Sequence, residues 1–220
     1  MKISIIGASA GVGLETTHRA LQQGHQVTTL SRSIDTLPQN PMLTKVQGSS
    51  TNPKDMEAAL SGAEVILITL GTGSSIKATT LFSESARVLI QVQQKIGSKV
   101  PLIVLTGFGA GESSNYHSPI TKFLFNLFLK VVYIDKTEME RLIVSSYPNW
   151  EIVRPGRLTN GAMKGHYHVM ESLFKGMKVS AFSRADVAHF MVSQAENPTY
   201  LGKCVALGYG IDRRELKLKQ

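Results

Sequence analysis

Lys2-Ile3-Ser4-Ile5-Ile6-Gly7-Ala8-Ser9-Ala10-Gly11-Val12-Gly13-Leu14 is the stretch on which the reading of this chain turns. A short apolar run breaks off at a glycine and gives way to the amphipathic positions Leu14, His18 and Leu21, which reads as strand, tight turn and helix. Glycines at 7, 11 and 13 permit a sharp turn, a close approach of main chain to an anion, and close packing of the helix on its strand. The free N–H groups at the helix start then face that anion. A second β-branched run at Gln26 to Ser31 follows at the spacing of a βαβ unit, so the turn is read as a dinucleotide phosphate site. The same residues also match Gly-x-Ser-x-Gly through Gly7, Ser9 and Gly11, the elbow that carries a hydrolase's nucleophile. Such an elbow needs earlier strands and an oxyanion loop, which the six residues upstream do not supply. Ser9 is therefore expected to donate a hydrogen bond to a phosphate or to the turn.

Further along, apolar runs at Leu43 to Gln47, Glu64 to Leu70, Val100 to Thr106 and Trp150 to Arg154 read as strands. Amphipathic segments near Gly13 to Gln23, Pro53 to Leu60, Ile76 to Ile96 and Tyr133 to Ser146 read as helices between them. Asn52 followed by Pro53, with Asp55 and Glu57 close behind, marks a helix start: proline suits the first position and acids suit the dipole's positive end. Strand alternating with helix predicts an α/β fold, a Rossmann-like doubly wound parallel sheet forming a single domain over residues 1–206. Right-handed crossovers bring the carboxyl ends of the strands to one edge, where such folds bind ligands.

Composition sets the outer limits. With 220 residues, 42% of them hydrophobic and 18% charged, the chain can fill one full core, which argues against disorder. Its longest apolar runs, such as Val65-Ile66-Leu67-Ile68, fall far short of the roughly 20 residues a bilayer span requires. The first residues read as a strand rather than a signal peptide, and a single cysteine, Cys204, forms no internal disulfide, so a cytoplasmic setting is expected. The net charge of +8 admits nucleic acid, an acidic surface or a polyanionic small molecule. Nucleic acid is disfavoured because no basic stripe is interleaved with aromatic residues. Residues 207–220 read as a basic, solvated tail.

An NAD site carries an acid about 20 residues beyond its glycine turn to hold the ribose hydroxyls. Between Glu15 and Asp35 this chain has none, and its second strand runs into Ser31-Arg32-Ser33. A guanidinium flanked by hydroxyls suits a 2′-phosphate, so the sequence predicts NADP(H) in preference to NAD(H). The plainer alternative is that Arg32 is one more surface arginine.

Taken together, Gly7-Ala8-Ser9 with Gly13, Leu30-Ser31-Arg32, Leu70-Gly71-Thr72, Thr106 to Gly111, Asp135-Lys136 with Glu140, Trp150 to Gly156 and Ser183 to Ala188 resemble the atypical short-chain dehydrogenase/reductases. The group most resembled is the NAD(P)H-binding proteins of the flavin reductase/biliverdin reductase B type. The resemblance implies that Gly7, Ser9, Gly11, Val12 and Gly13 hold the pyrophosphate and Arg32 the 2′-phosphate. It implies Ser49 beside adenine, where the family usually has aspartate, and Leu70, Gly71 and Thr72 along the path to the nicotinamide ribose. Thr106 and Lys136 are implied as the catalytic residues, with Lys136 at the ribose hydroxyls, Pro155 and Gly156 against the carboxamide, and Arg157 near the substrate mouth. No metal site is implied.

One departure from the family matters. Its Tyr-x-x-x-Lys pair protonates a carbonyl oxygen, but four residues before Lys136 stands Val132, and Tyr133 is one position late. On a helix that displacement is about 100°, and the phenol is expected to miss the substrate. Without a positioned acid, carbonyl reduction loses about 10²- to 10⁴-fold in rate. Acceptors that spread the arriving electron pair over a conjugated ring, such as flavins, quinones and tetrapyrroles, need stacking and orientation instead. The sequence thus suggests an NADPH-dependent reductase of a small planar acceptor. Its rival is a non-catalytic NADP(H) sensor resembling the nitrogen metabolite repressor type.

Between residues 109 and 132, Phe123, Leu124, Phe125, Leu127, Phe128 and Leu129 are denser than one helix face can bury. Packing within the protein, a substrate lid, a homodimer contact through 123–132, or a membrane surface could each cover them. His166 and His168 lack a nearby acid or cysteine to complete a metal set, Cys204 is expected to be buried and inert, and Asp186 is expected to cap a late helix.

Overall fold

The computed structural model describes residues 1–73, 75–116, 129–174 and 179–209. Its central sheet is built from β1 (Lys2–Ile6), β2 (Gln26–Ser31), β3 (Leu43–Gln47), β4 (Val65–Ile68), β5 (Leu102–Leu105), β6 (Trp150–Pro155), β8 (His168–Met170) and β10 (Lys203–Gly208). These eight strands lie in the order β3-β2-β1-β4-β5-β6-β10-β8. Every pairing is parallel except that of β10 with β8, which adds an antiparallel edge not foreseen from the sequence. The two-residue strands β7 (Leu158–Thr159) and β9 (Phe182–Ser183) form a small separate pair.

Helices cover both faces, as a parallel sheet buried on both sides requires. Because side chains alternate along a strand, Val65 and Leu67 enter one core and Ile66 and Ile68 the other. The first core is roofed by α1 (Gly11–Gln22) and α5 (Arg184–Glu196), through Val12, Ala20, Val187, Phe190 and Met191. The second is roofed by α2 (Pro53–Leu60), α3 (Leu81–Ile96) and α4 (Lys130–Ser146), through Met56, Leu60, Phe82, Leu89, Met139 and Ile143. The result is a single-domain, Rossmann-like α/β fold.

Helix α2 begins as the sequence indicates: the Asn52 side chain accepts from Lys54 N and Asp55 N, and Pro53 takes the first position. Helix α3 starts at Leu81 rather than near Ile76, because its cap comes from another element. Asp135 of α4 accepts from Phe82 N at 2.8 Å and Ser83 N at 3.2 Å, which fixes where the helix can begin. For α5 the cap is Ser183, not Asp186. Ser183 Oγ accepts from Asp186 N and donates to Asp186 Oδ2, a reciprocal arrangement that places Asp186 inside the first turn.

No helix among the described residues is long and apolar enough to cross a membrane. The apolar stretch 123–128 and the basic end 210–220 lie outside the described residues. Of the adjoining positions, Leu129, Val131 and Ile134 are exposed while Val132 is buried.

Candidate functional site

Strand β1 lies between β2 and β4, so the chain leaves it in opposite directions and a crevice opens at its carboxyl end. There the glycine turn adopts backbone angles that side chains resist, with φ of +93° at Gly7 and +56° at Gly11. Gly13 answers to space instead: a Cβ there would be driven into the carbonyl oxygen of Gly7 and stand 2.6 Å from Thr69 Oγ1. The turn is pinned from both sides, by Ala8 N donating to Ser31 Oγ at 2.9 Å and Thr69 Oγ1 donating to Ile6 O and Gly7 O. Helix α1 then starts at Gly11, with no side-chain cap from Ala10 before it and no acid in its first turn, leaving its positive end open to a ligand.

The crevice continues as one cleft of about 1600 Å³ across the carboxyl ends of β2, β1, β4, β5 and β6. Its described walls include Gly7, Ser9, Gly11, Val12, Arg32, Ser49, Leu70, Gly71, Thr72, Thr106, Lys136, Pro155, Gly156 and Arg157. Gly13 stands behind them, holding α1 against β1. Four cationic side chains, Arg32, Lys136, Arg157 and Arg184, face the cleft, and none of the described lining residues is an acid. The room and the sign of charge both suit a dinucleotide carrying several phosphates.

At the β2 end, Arg32 is exposed and flanked by Ser31 and Ser33, and its own carbonyl is held by Gln47 Nε2 at 3.3 Å. Beside it the Gly48 to Ser50 turn is fixed by Asp55, whose Oδ2 accepts from Ser49 N at 2.8 Å. At the β5 end sits a polar cluster, buried at Thr106, Glu140 and Arg154 and exposed at Glu112. Arg154 donates to both oxygens of Glu140, at 3.0 and 2.7 Å, and to both oxygens of Glu112, at 2.6 and 2.9 Å. Burial opposes the Arg154 charge, but the bonds to Glu140 and Glu112 outweigh it and hold the guanidinium firmly protonated. The Thr106 hydroxyl donates to Glu140 Oε1 at 2.6 Å, and Lys136 Nζ donates to the Thr106 carbonyl at 2.6 Å. Burial pulls Lys136 down to about 8, against the raising effect of Glu140.

Tyr133 is not turned away from the cleft. It lines the same wall as Lys136, whose Nζ lies 5.0 Å from its ring centre, and its hydroxyl stands 2.5 Å from where a Cβ on Gly107 would be. Residues three apart on a helix share a face, which brings both side chains to the cleft despite the altered spacing. Burial, reinforced by the Glu140 charge, pushes the phenol up to about 12.

Sequence reasoning missed Glu112, Arg154 and Arg184 as parts of this region. The signal for the first two was an arginine inside the apolar run of β6, which had to find acidic partners. Among the other candidates, His166 bonds the Lys164 carbonyl and lies outside β8, and no group of metal-binding side chains occurs among the described residues. Cys204 is half-buried, and desolvation pushes its thiol up to about 12.

Fold and cleft define a doubly wound Rossmann-like protein with its glycine turn at the topological switch point. The chain belongs to the NAD(P)H-binding family, whose model matches residues 7–198. It is similar to ChuY of Escherichia coli O157:H7, an anaerobillin reductase, with 24% identity and a TM-score of 0.78 over 95% of this chain and 97% of that one. A short-chain dehydrogenase/reductase of Veillonella parvula DSM 2008, solved in complex with NADP, is similar at 17% identity with a TM-score of 0.80, covering 94% of each chain. YhfK of Bacillus subtilis (strain 168), described as an uncharacterized sugar epimerase, shares 24% identity over 206 residues, 89% of this chain and 88% of that protein.

Proposed function

We propose that the protein is an NADPH-dependent oxidoreductase that reduces a small planar conjugated acceptor of the flavin, quinone or tetrapyrrole class. The observation that carries this reading is the cleft's charge: four cations and no acid among its described lining residues, with Arg32 standing where an NAD site places a carboxylate. Arg32 takes the 2′-phosphate, with Ser31 and Ser33 beside it. The amides of the Gly7 to Gly13 turn, with Ser9 and Val12, take the diphosphate, and Ser49 lies at the adenine. Leu70, Gly71 and Thr72 line the way to the nicotinamide ribose, where Lys136 reaches the hydroxyls, and Pro155 and Gly156 flank the carboxamide with Arg157 at the mouth.

When bound, the coenzyme supplies two electrons and a proton as hydride. The chain's part is to hold and orient. The one proton of the Thr106 hydroxyl is committed to Glu140, so toward a substrate this oxygen can only accept. Lys136 keeps its ammonium on the Thr106 carbonyl. The Tyr133 phenol, at about 12, is a weak acid near neutrality. An acceptor that draws its proton from water fits these side chains better than one that needs a strong protein acid. The reducing name attached to ChuY supports the same class of reaction. We place the reaction in the cytoplasm, consistent with a lone, half-buried Cys204.

Calorimetric titration with NADPH and NADH, followed by NADPH consumption in the presence of FMN, FAD or a quinone, tests the proposal. NADPH is expected to bind more tightly, Arg32→Glu to reverse the preference, and consumption to require an acceptor. Equal affinities, or a ratio untouched by Arg32→Glu, would refute the role of Arg32. Binding without consumption across the panel would replace the reductase by a sensor.

A further inference from the structure

The cleft holds a cation that the 2′-phosphate does not explain. Arg184 is the first residue of α5, the helix that stands beside α1 on the same face of the sheet. Its side chain reaches back over the glycine turn: Nε lies 3.5 Å and Cδ 3.8 Å from where a Cβ on Gly11 would stand. Gly11 opens α1, whose start lacks both a capping side chain and a first-turn acid. A guanidinium thus rests on the positive end of a helix, an arrangement that repels unless an anion joins the two.

Among the described residues the neighbouring carboxylate forms no ion pair with it. Asp186, two residues on, turns its carboxylate to Lys164 N, Gly165 N, Ser183 Oγ and Tyr209 OH, from which it accepts, and not to Arg184. Among the described residues the side-chain partner of Arg184 is Asn160, a neutral group whose Oδ1 accepts from Nη1 at 2.7 Å. That bond fixes the arm without discharging it. Arg184 and Asn160 both line the cleft, as do Ser9, Ala10, Gly11 and Val12 of the turn.

We infer that Arg184 clamps the diphosphate of the coenzyme onto the glycine turn, and so governs affinity for NADPH and NADH alike without selecting between them. The inference rests on the coenzyme reading of the cleft. The cations then divide the labour, with Arg32 selecting the coenzyme, Arg184 securing the part that both coenzymes share, and Asn160 positioning Arg184.

Calorimetric titrations of NADPH, NADH, ADP and adenosine 2′-monophosphate against wild type, Arg184→Gln, Arg184→Lys and Asn160→Ala test it, with thermal melts run on each protein. Losing a charge-assisted bond to phosphate is expected to weaken NADPH, NADH and ADP together in Arg184→Gln, by about 10- to 100-fold. The NADPH-to-NADH ratio should stay at its wild-type value, adenosine 2′-monophosphate should bind as before, and Arg184→Lys should recover most of the loss. Wild type that binds no dinucleotide overturns the coenzyme reading and this inference with it. Wild type that binds, beside an Arg184→Gln variant of unaltered affinity, overturns the inference alone. A loss confined to NADPH and adenosine 2′-monophosphate overturns it too, by moving Arg184 to the 2′-phosphate. If Arg184→Gln fails to fold, Asn160→Ala decides, because it keeps the charge and frees the arm. Both coenzymes should then weaken by one smaller factor, and unchanged binding refutes the clamp.

Discussion

Replacing Glu151 by glutamine should stabilise the protein in a way that grows with pH. Glu151 lies in β6 between Trp150 and Ile152, fully buried, and in register with Ile103 of β5 and Lys203 of β10. Period-two alternation puts it on the Val153 side of the sheet, the side roofed by α1 and α5. Neither carboxyl oxygen has a hydrogen-bond partner among the described residues, and burial pushes the group from its ordinary 4.5 to about 8. The folded protein therefore keeps a proton that the unfolded chain sheds above 4.5. Its stability is fully present below 4.5 and is lost as pH rises, until the folded group ionises near 8. At about 1.4 kcal/mol per pH unit, the interval from pH 5 to 7.5 costs wild type about 3 kcal/mol that Glu151→Gln does not lose. For a chain of this size that corresponds to about 6 to 12 °C in Tm. An amide buried without partners carries its own cost, but that cost is constant with pH, so the widening gap is the quantity to read. Urea or thermal unfolding of both proteins at pH 5, 6, 7 and 7.5 supplies it. A gap that stays constant would show that Glu151 ionises at an ordinary value and would refute the argument.

Two further outcomes concern the cleft. Gly13→Ala places a methyl against the Gly7 carbonyl and Thr69 Oγ1, so it should lower Tm by several degrees and weaken NADPH and NADH by at least about tenfold, read by melting and calorimetry. Lys136 carries its charge below about 8 and loses it above, so NADPH affinity should fall as pH rises through that value. In Lys136→Met the affinity should be weaker and free of that step, and a step that persists would assign it to another group.

Much of this architecture is legible from local chemistry. The Gly7 to Gly13 turn and the Asn52-Pro53 start each carry their own explanation within a few residues, and both elements appear where those residues put them. What was not legible depends on partners far apart in the chain. The start of α3 is fixed by Asp135, more than fifty residues on, and no pattern near Leu81 announces it. Strands β7, β8 and β9 are two or three residues long, too short for periodicity to separate from loop. The site residues Arg32, Thr106 and Lys136 were visible one at a time. The coupling of Thr106 and Lys136 to Glu140 and Arg154 was not, because it required knowing that α4 packs beside β5 and β6. Tyr133 shows the opposite error: a motif's spacing was treated as its geometry, although positions three and four before a lysine both face its way.

Four donors to Asp186 draw three stretches, far apart in the chain, to a single carboxylate: the Lys164-Gly165 loop, the turn that starts α5, and Tyr209 just past β10. Arg184 is carried on that same turn. Among the described residues this side of the cleft is thus tied at one point, and loss of the Asp186 carboxylate would release the loop, the turn and the strand end together.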